Sequence, residues 1–219
     1  VMLENVRGFL DSGFDEYRDH IFTSIQKLGY VTHIKLLNAS DYGVPQLRPR
    51  VVIIGIRKDQ IGAFAYPDER PDSAPTVGDT LRDLMAQNGW EGAKRWASNA
   101  NRIAPTLVGG SKKHGGPDLG PTRARNAWAE LGVDGRGIAN EAPAPGFEGM
   151  PRLTSRMMAR IQGFPDTWTF GNRKTVACRM IGNAFPPPVA RAVGEKIKEC
   201  LEHGCIDSEC KISVSQKVV

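Results

Sequence analysis

Apolar positions in the first sixty residues alternate between the spacing of strands and the spacing of a helix. Residues 1–6 and 30–37 are short apolar segments that predict strands. Between them, apolar residues recur every three or four positions over 14–28, which predicts a helix. Residues 51–57 form a continuous run rich in β-branched side chains, typical of a strand buried on both faces. This order of strand, helix, strand and strand, with short links, indicates part of an α/β sheet.

Beyond position 66 the chain loses this regular alternation. Residues 67–75 are rich in proline and charge, which is typical of a linker. One short helix is predicted over 76–85, and after it the chain is interpreted as short loops studded with Gly and Pro. Periodic apolar residues and terminal Ser, Thr, Gly or Pro predict three further helices, over 152–162, 175–183 and 189–201.

The loop that leads into the buried strand carries three long polar side chains. Gln46, Arg48 and Arg50 occupy alternate positions, so in an extended chain they point to one side. Pro49 cannot donate to a strand ladder, which fits the start or the edge of a strand. An amide and two guanidinium groups delivered by a buried strand indicate a functional site. The alternative is that both arginines pair with surface carboxylates.

Positive charge is concentrated in one segment. The 219 residues carry a net charge of +5 and a pI of about 9.1, which indicates a polyanionic partner. Residues 94–136 hold eight Lys or Arg against three Asp or Glu, so this segment accounts for the whole excess of five. Loops on a rigid scaffold often carry recognition residues; the alternative is a solvated, flexible insertion. No apolar run approaches the roughly 20 residues of a membrane helix, so we expect no membrane partner.

The cysteines do not form a recognisable metal motif. Cys178 stands alone, and Cys200, Cys205 and Cys210 crowd into the tail. Structural zinc sites usually take their ligands from close Cys pairs, which this spacing does not provide. We therefore expect no metal and interpret these cysteines as reduced thiols of a cytosolic protein.

Four short motifs occur in a fixed order along the chain. A basic, variable stretch separates the second motif from the third. Together they resemble the C-terminal half of a DNA cytosine-5 methyltransferase. The motifs are Glu4-Asn5-Val6, Gln46-x-Arg48-x-Arg50, Arg152-Leu-Thr-x-Arg156 continuing to Gln162-Gly-Phe-Pro-Asp166, and Gly182-Asn183-Ala184-x-Pro186.

The resemblance implies a reaction on a cytosine flipped out of double-stranded DNA. In this family a cysteine thiolate adds to C6 of the base, S-adenosylmethionine gives its methyl group to C5, and a base removes the C5 proton. By resemblance, Glu4 binds the ring N3 and the exocyclic amine. Arg50 contacts the cytosine O2 with Arg48 in support, where a guanidinium in a dry site would withdraw charge from the ring.

The same resemblance implies roles for further residues. Asn183 and Ala184 match the motif that binds the cofactor, although many members have serine where this chain has Ala184. Met157 and Met158 replace the acid and cysteine of many members. Specificity would come from side chains that reach base edges, for which His114 is one candidate. The residues assigned to DNA binding or to ordering the DNA-contacting loops are Gln46, Lys112, Lys113, Arg123, Arg125, Arg152, Thr154 and Arg156.

The implied fold is α/β: a partial S-adenosylmethionine-dependent methyltransferase (Rossmann-like) sheet plus a small, loop-rich target-recognition domain. Residues 1–75 would form the C-terminal half of the catalytic α/β domain. Residues 76–170 would recognise the DNA target, and residues 171–219 would form closing helices that return to the catalytic domain. A cytoplasmic protein encoded by a bacterium or phage is expected.

Two features of the family's N-terminal half are not found in this sequence. These are a Gly-rich cofactor loop and a Pro-Cys dipeptide that holds the nucleophile. We therefore expect this chain alone not to methylate DNA. It would need an N-terminal half from the same polypeptide, which a start inside a predicted strand favours, or from a partner subunit. The alternative is a non-catalytic DNA-binding specificity module, against which the presence of Glu4, Arg48 and Arg50 argues.

Overall fold

The computed structural model describes residues 1–60, 64–109 and 117–203. It divides the chain into two compact units. The first unit comprises Val1–Leu36, Val51–Asp68 and the described residues from Arg191 onward. The second unit comprises Leu37–Arg50 and Glu69–Ala190. The predicted functional segments 1–75, 76–170 and 171–219 concern roles rather than compactness and stay predictions.

The first unit is built around a three-stranded sheet. Its strands are β1 (Met2–Val6), β2 (Tyr30–Asn38) and β3 (Pro49–Arg57), and β3 lies between the other two. The helix α1 (Asp15–Lys27) follows β1. The predicted order of strand, helix, strand and strand is confirmed. Short 3₁₀ turns occupy Arg7–Leu10, Ser12–Phe14, Ala39–Tyr42 and Lys58–Gln60.

The central strand has the burial that its apolar run predicts. Its residues from Val51 to Ile56 are all buried. Val51 and Ile53 pack with Phe9, and the partly buried Ile21 of α1 lies against this cluster. β-branched residues suit a strand that packs on both faces. Pro49 begins the strand, as its missing N–H predicts.

Helices dominate the second unit. Four predicted helices are confirmed, each within a few residues of its expected bounds. They are α2 (Val77–Ala86), α5 (Ser155–Ile161), α6 (Lys174–Asn183) and α7 (Pro187–His203), of which α7 continues into the first unit.

The expectation of loops over 94–136 is wrong in two places. The helix α3 (Ala93–Asn99) and the helix α4 (Thr122–Ala129) both lie in this segment. Trp96 of α3 and Trp128 of α4 are buried in the same hydrophobic core. A large buried indole stabilises a short helix through packing, which an isolated helix of this length lacks.

That core also contains the two methionines that depart from the family motif. Met157 and Met158 of α5 are buried beside Ile161 of the same helix and Leu81 of α2. Methionine fills irregular gaps because its side chain is flexible and apolar. The two substitutions therefore serve packing in this chain.

Among the described residues, no helix is both long enough and apolar enough to cross a membrane.

Candidate functional site

The loop before β3 is held against a distant segment by backbone pairing. Gln46 forms an isolated parallel bridge with Ala104. The Ala104 carbonyl accepts from the Leu47 amide at 2.8 Å, and the Ala104 amide donates to the Pro45 carbonyl at 2.9 Å. This pairing places the loop before β3 next to residues 104–107 and fixes the direction of the polar side chains that it carries.

Arg48 is a buried structural centre of this region, with 1% of its surface exposed. Its Nη1 donates to the Leu107 carbonyl at 2.7 Å. Its Nη2 donates to the carbonyls of Gly182 at 2.8 Å and Ala184 at 3.1 Å. A buried guanidinium needs such acceptors because its desolvation is costly. The side chain thus spans two segments that are far apart in sequence.

Two glutamine side chains complete the arrangement, and both are fully buried. Gln46 donates from Nε2 to the Gln162 Oε1 at 2.7 Å, and its Oε1 accepts from the Leu107 amide at 2.7 Å. Gln162 donates from Nε2 to the Ala184 carbonyl at 2.5 Å. The Arg48 Nη1 also lies 3.4 Å from the Gln46 Oε1. We call Gln46, Arg48 and Gln162 the buried polar cluster.

The structure brings together two of the three alternating polar residues. Gln46 and Arg48 contact each other, as their spacing predicts. Arg50 is half-buried and donates from Nη1 to the Pro49 carbonyl at 2.8 Å. Glu4 lies on β1 in the first unit with an exposed side chain. The catalytic roles assigned to Glu4, Arg48 and Arg50 stay predictions.

Sequence reasoning did not select Gln162 as a site residue. It stands at the C-terminal end of α5, where an exposed amide would be ordinary. The one signal in the sequence was its place within the Gln-Gly-Phe-Pro motif. Its side chain is hydrogen-bonded to Gln46 and to the Ala184 carbonyl, and a single sequence does not encode those contacts locally.

The predicted cofactor-binding motif lies in the C-terminal turn of α6 and at its C-cap, Ala184. Gly182 is buried, and a Cβ at its position would lie 2.4 Å from the Gly109 nitrogen. Only glycine allows this close approach of two backbone segments. Asn183 is exposed, and its Oδ1 would lie 2.6 Å from a Cβ built on Gly109. Asn183 and Ala184 are therefore next to the segment that precedes residue 110.

The residues assigned to the third motif have internal partners in the structure. Thr154 caps α5, accepting at Oγ1 from the Met157 amide at 3.2 Å. Arg152 donates from Nε to Asp134 at 2.9 Å. Arg156 donates from Nη2 to the Trp168 carbonyl at 2.8 Å. Arg152 is exposed, Arg156 is half-buried and Thr154 is buried, and contacts of all three with DNA stay predictions.

The predicted base-reading residues are only partly described. Arg123 and Arg125 lie on α4, where Arg123 is exposed and Arg125 donates to the Thr122 hydroxyl at 3.2 Å. Lys112, Lys113 and His114 lie outside the described residues. The basic residues of α4 share their helix with the buried Trp128, which anchors it to the core.

The described cysteines are unsuited to nucleophilic attack. Cys178 is a free thiol, and both Cys178 and Cys200 are buried. Burial raises the pKa of the Cys178 thiol, which keeps it protonated and unreactive. Cys205 and Cys210 lie outside the described residues. Within residues 1–60, 64–109 and 117–203, no cluster of three or more His, Cys, Asp or Glu could hold a metal ion.

Comparison with known protein families gives a single consistent result. A family described as C-5 cytosine-specific DNA methylase matches residues 1–199. The Type II methyltransferase M.NaeI of Lentzea aerocolonigenes is 56% identical over 92% of this chain, which covers 49% of the relative. The Type II methyltransferase M.NgoMIV of Neisseria gonorrhoeae is 48% identical over 92% of this chain, which covers 65% of that relative. The chain therefore spans about half to two thirds of the length of these relatives.

Solved structures show the same fold at much lower identity. A proposed DNA modification methyltransferase from an E. coli prophage matches 92% of this chain and 69% of its own length, with a TM-score of 0.56 and 19% identity. The Dnmt2 methyltransferase of S. pombe matches 92% of this chain and 66% of its own, with a TM-score of 0.51 and 16% identity. The predicted α/β methyltransferase fold is confirmed.

Proposed function

Since this chain belongs to the C-5 cytosine-specific DNA methylase family, we propose that it supplies the cytosine pocket and the DNA-recognition surface of a DNA cytosine-5 methyltransferase. The buried polar cluster supports the proposal, because its hydrogen bonds connect the motif before β3 to the segment at Leu107 and to the C-terminal turn of α6. Side chains of this size and polarity are seldom buried without a role, since their desolvation must be offset by hydrogen bonds.

The target cytosine would be held by groups from two places in the chain. The Glu4 carboxyl on β1 would bind N3 and the exocyclic amine, which stabilises the ring once a thiolate has added to C6. The Arg50 guanidinium would bind O2 and stabilise the negative charge that develops there. Arg48 would support the pocket without contacting the base, because its guanidinium donates hydrogen bonds to backbone carbonyls.

S-adenosylmethionine would bind next to the C-terminal turn of α6. The exposed Asn183 side chain offers an amide for hydrogen bonding, and the backbone around it is fixed by its contacts with Arg48 and Gln162. This arrangement fits one edge of a cofactor site. The cofactor supplies the methyl group for C5 of the base, while the residues of this chain orient it. Ala184 contributes only backbone atoms, since it lacks a hydroxyl.

The nucleophilic cysteine would come from another segment or subunit. Both described cysteines are buried, and the sequence contains no Pro-Cys dipeptide. The first unit offers a surface for such a partner, because Met2, Leu3 and Val6 of β1 are exposed. Contiguous exposed apolar residues mark interaction sites in soluble proteins. This partner would complete the sheet beside β1.

The DNA partner would be bound mainly through phosphate contacts, so affinity should fall steeply with salt. The exposed Arg123 of α4 is the described candidate for reading a base edge. If Arg123 pairs with a guanine, Arg123→Ala relaxes sequence preference at one position. If Arg123 contacts phosphate, the same variant weakens binding equally on all sequences. We propose that this recognition takes place on DNA in the cytoplasm of a bacterium.

Transfer of a labelled methyl group to duplex DNA tests the proposal. The chain would be assayed alone and together with the part of M.NaeI that lies outside the match. We expect no transfer by the chain alone and transfer by the mixture. Glu4→Gln should abolish transfer while duplex binding is retained. Duplex containing 5-fluorocytosine should become covalently attached to the complementing polypeptide.

Two outcomes would contradict this assignment. Methyl transfer by the chain alone would place the nucleophile within it. Absence of duplex binding, by the chain and by the mixture, would remove DNA as the substrate. A non-catalytic specificity module is the alternative, supported by the absence of a Pro-Cys dipeptide, and it predicts duplex binding without transfer under any complementation.

A further inference from the structure

Both backbone polar groups of Leu107, in the segment before residue 110, are hydrogen-bonded to the buried polar cluster. The Leu107 amide donates to the Gln46 Oε1, and the Leu107 carbonyl accepts from the Arg48 Nη1, each at 2.7 Å. Leu107 itself is fully buried. This segment leads directly into residues 110–116, which contain two of the predicted DNA-binding lysines.

The same cluster donates hydrogen bonds to two carbonyls in the C-terminal turn of α6 and at its C-cap. The Gly182 carbonyl accepts from Arg48, and the Ala184 carbonyl accepts from both Arg48 and Gln162. Direct contact adds to these bonds, because a Cβ on Gly182 would lie 2.4 Å from the Gly109 nitrogen and a Cβ on Gly109 would lie 2.6 Å from the Asn183 Oδ1. The two segments are more than seventy positions apart in sequence, yet they share their hydrogen-bond donors.

We propose that Gln46, Arg48 and Gln162 are positioning residues that make the segment around Leu107 and the turn at 182–184 move as one unit. This inference rests on the proposed function for its consequence: DNA that engages the residues after Leu107 would shift the turn that positions Asn183. Gln162 is the informative member, because it donates to the Ala184 carbonyl directly and is linked to Leu107 through Gln46 and Arg48.

The physical basis is the cost of leaving a buried polar group without a partner. If Gln162 loses its amide, the Gln46 Nε2 loses its short hydrogen bond and is left with the Ile161 carbonyl at 3.5 Å, in a site from which water is excluded. We expect Gln46 to move toward that carbonyl, which weakens the hydrogen bond from the Leu107 amide to its Oε1. Buried networks of this kind act together rather than as independent pairs.

Amide hydrogen exchange of the ligand-free chain tests this coupling at Leu107 and Ala184. Both amides donate to defined acceptors, Leu107 to Gln46 and Ala184 to the Ile181 carbonyl. Gln162→Met, which keeps the volume and removes both polar atoms, should speed exchange at both amides by about ten- to a hundredfold. The effect at Leu107 is the decisive one, because the hydrogen-bond partners of its backbone are Gln46 and Arg48 and not Gln162.

Gln162→Glu provides a readout that a packing role would not give. A protonated Glu side chain can donate to the Ala184 carbonyl and accept from Gln46, as the amide does. Burial raises the pKa of a carboxyl, whereas the Arg48 guanidinium, which binds the same Ala184 carbonyl, lowers it. Once ionised, the carboxylate still accepts from Gln46 but no longer donates to the Ala184 carbonyl. Exchange at both amides, corrected for its intrinsic pH dependence, should therefore match the original chain while the carboxyl is protonated. Ionisation should speed exchange at Ala184 and, through the coupling, at Leu107, while the original chain shows no such change.

Met85→Ala controls for a general loss of stability. Met85 is fully buried in the core of the same unit but is not a member of the cluster. This variant should speed exchange only in proportion to its loss of global stability. Faster exchange at Ala184 with Leu107 unchanged, in Gln162→Met or in Gln162→Glu with the carboxyl ionised, would overturn the proposal. Because no ligand is present, failure of DNA binding or methyl transfer leaves this test unaffected.

Discussion

A single hydroxyl caps the start of α5, and Gln162 stands at the opposite end of this helix. The Thr154 Oγ1 accepts from the Met157 amide, and the Met157 sulfur lies 3.4 Å from the Thr154 amide. This is a capping box in which a thioether replaces the usual carboxylate. Sulfur is a weak acceptor, so the Thr154 hydroxyl carries more of the capping here.

Thr154→Ala should lower the free energy of unfolding by about 0.5–2 kcal/mol, because one buried amide at the helix start loses its acceptor. Thr154→Ser keeps the hydroxyl and should cost clearly less. Urea denaturation followed by circular dichroism measures both values. Equal losses in the two variants would show that the Thr154 methyl group, and not its hydroxyl, stabilises α5.

Gly163 ends α5 in a conformation that only glycine adopts without strain. Its φ is +88°, and an added Cβ would lie 2.7 Å from the Cδ of Pro188. Gly146 has a similar φ of +70° with nothing within 4 Å. The pair therefore separates backbone strain from steric overlap.

Gly163→Ala should cost about 2–4 kcal/mol, since left-handed strain and overpacking against a rigid ring add together. Gly146→Ala should cost about 1–2 kcal/mol, the strain alone. Thermal and urea unfolding would measure both. If the two variants lose the same stability, the contact between Gly163 and Pro188 contributes nothing.

At the residue scale, the sequence predicted positions better than partners. Alternation correctly placed Gln46 and Arg48 on one side of the chain, because side-chain direction in extended backbone is a local property. Their partners Leu107, Gln162 and Ala184 come from distant segments, and no local pattern encodes such contacts.

Arg160 connects three elements of the second unit. Its Nη1 donates to Asp83 of α2 at 2.5 Å and to the Thr80 carbonyl at 3.2 Å. Its Nε donates to Asp166 at 3.1 Å, in the turn that follows α5. The hydrogen bond from Arg160 lowers the pKa of the Asp83 carboxyl. The ionised pair therefore stabilises the packing of α2 against α5.

The stability of this unit should fall as the pH drops through the lowered pKa of Asp83. A carboxyl whose pKa is lower in the folded state stabilises above its unfolded pKa, about 3.9, and loses that contribution on protonation. The Asp83 side chain is 66% exposed, so solvent screening keeps the effect below about 1 kcal/mol.

Asp83→Asn should therefore show a smaller loss of unfolding free energy between pH 7 and pH 3 than the original chain. Glu141→Gln removes an exposed carboxylate of the same unit and should leave the loss unchanged. Urea denaturation at each pH measures the difference. Parallel pH curves for the original chain and Asp83→Asn would exclude a role of this pair in acid stability.

At the element scale, long periodic segments were predictable and short helices were not. The thirteen residues of α1 and the nine of β3 show clear periodicity or continuous apolarity. The seven residues of α3 and the eight of α4 are too short to show a face, and each is stabilised by one tryptophan. Tertiary packing, which the local sequence does not reveal, decides such elements.

At the scale of the whole molecule, the strand β1 has an unusual environment. All five of its residues are exposed, and α1 buries none of its own. Natural sheets protect an edge strand with charge, proline or a covering element. Here Met2, Leu3 and Val6 are apolar and uncovered among the described residues. Under the proposed function, another segment or subunit would cover this surface.

Leu3→Lys tests that role, because a charge on β1 should oppose docking of an apolar partner while leaving the second unit intact. Methyl transfer should be lost in the mixture with the complementing part of M.NaeI. Met150→Lys provides the matched control, since Met150 is 45% exposed and Leu3 is 38% exposed, but Met150 lies in the second unit. If both lysine variants act alike, general surface charge explains the effect and β1 is not the docking strand.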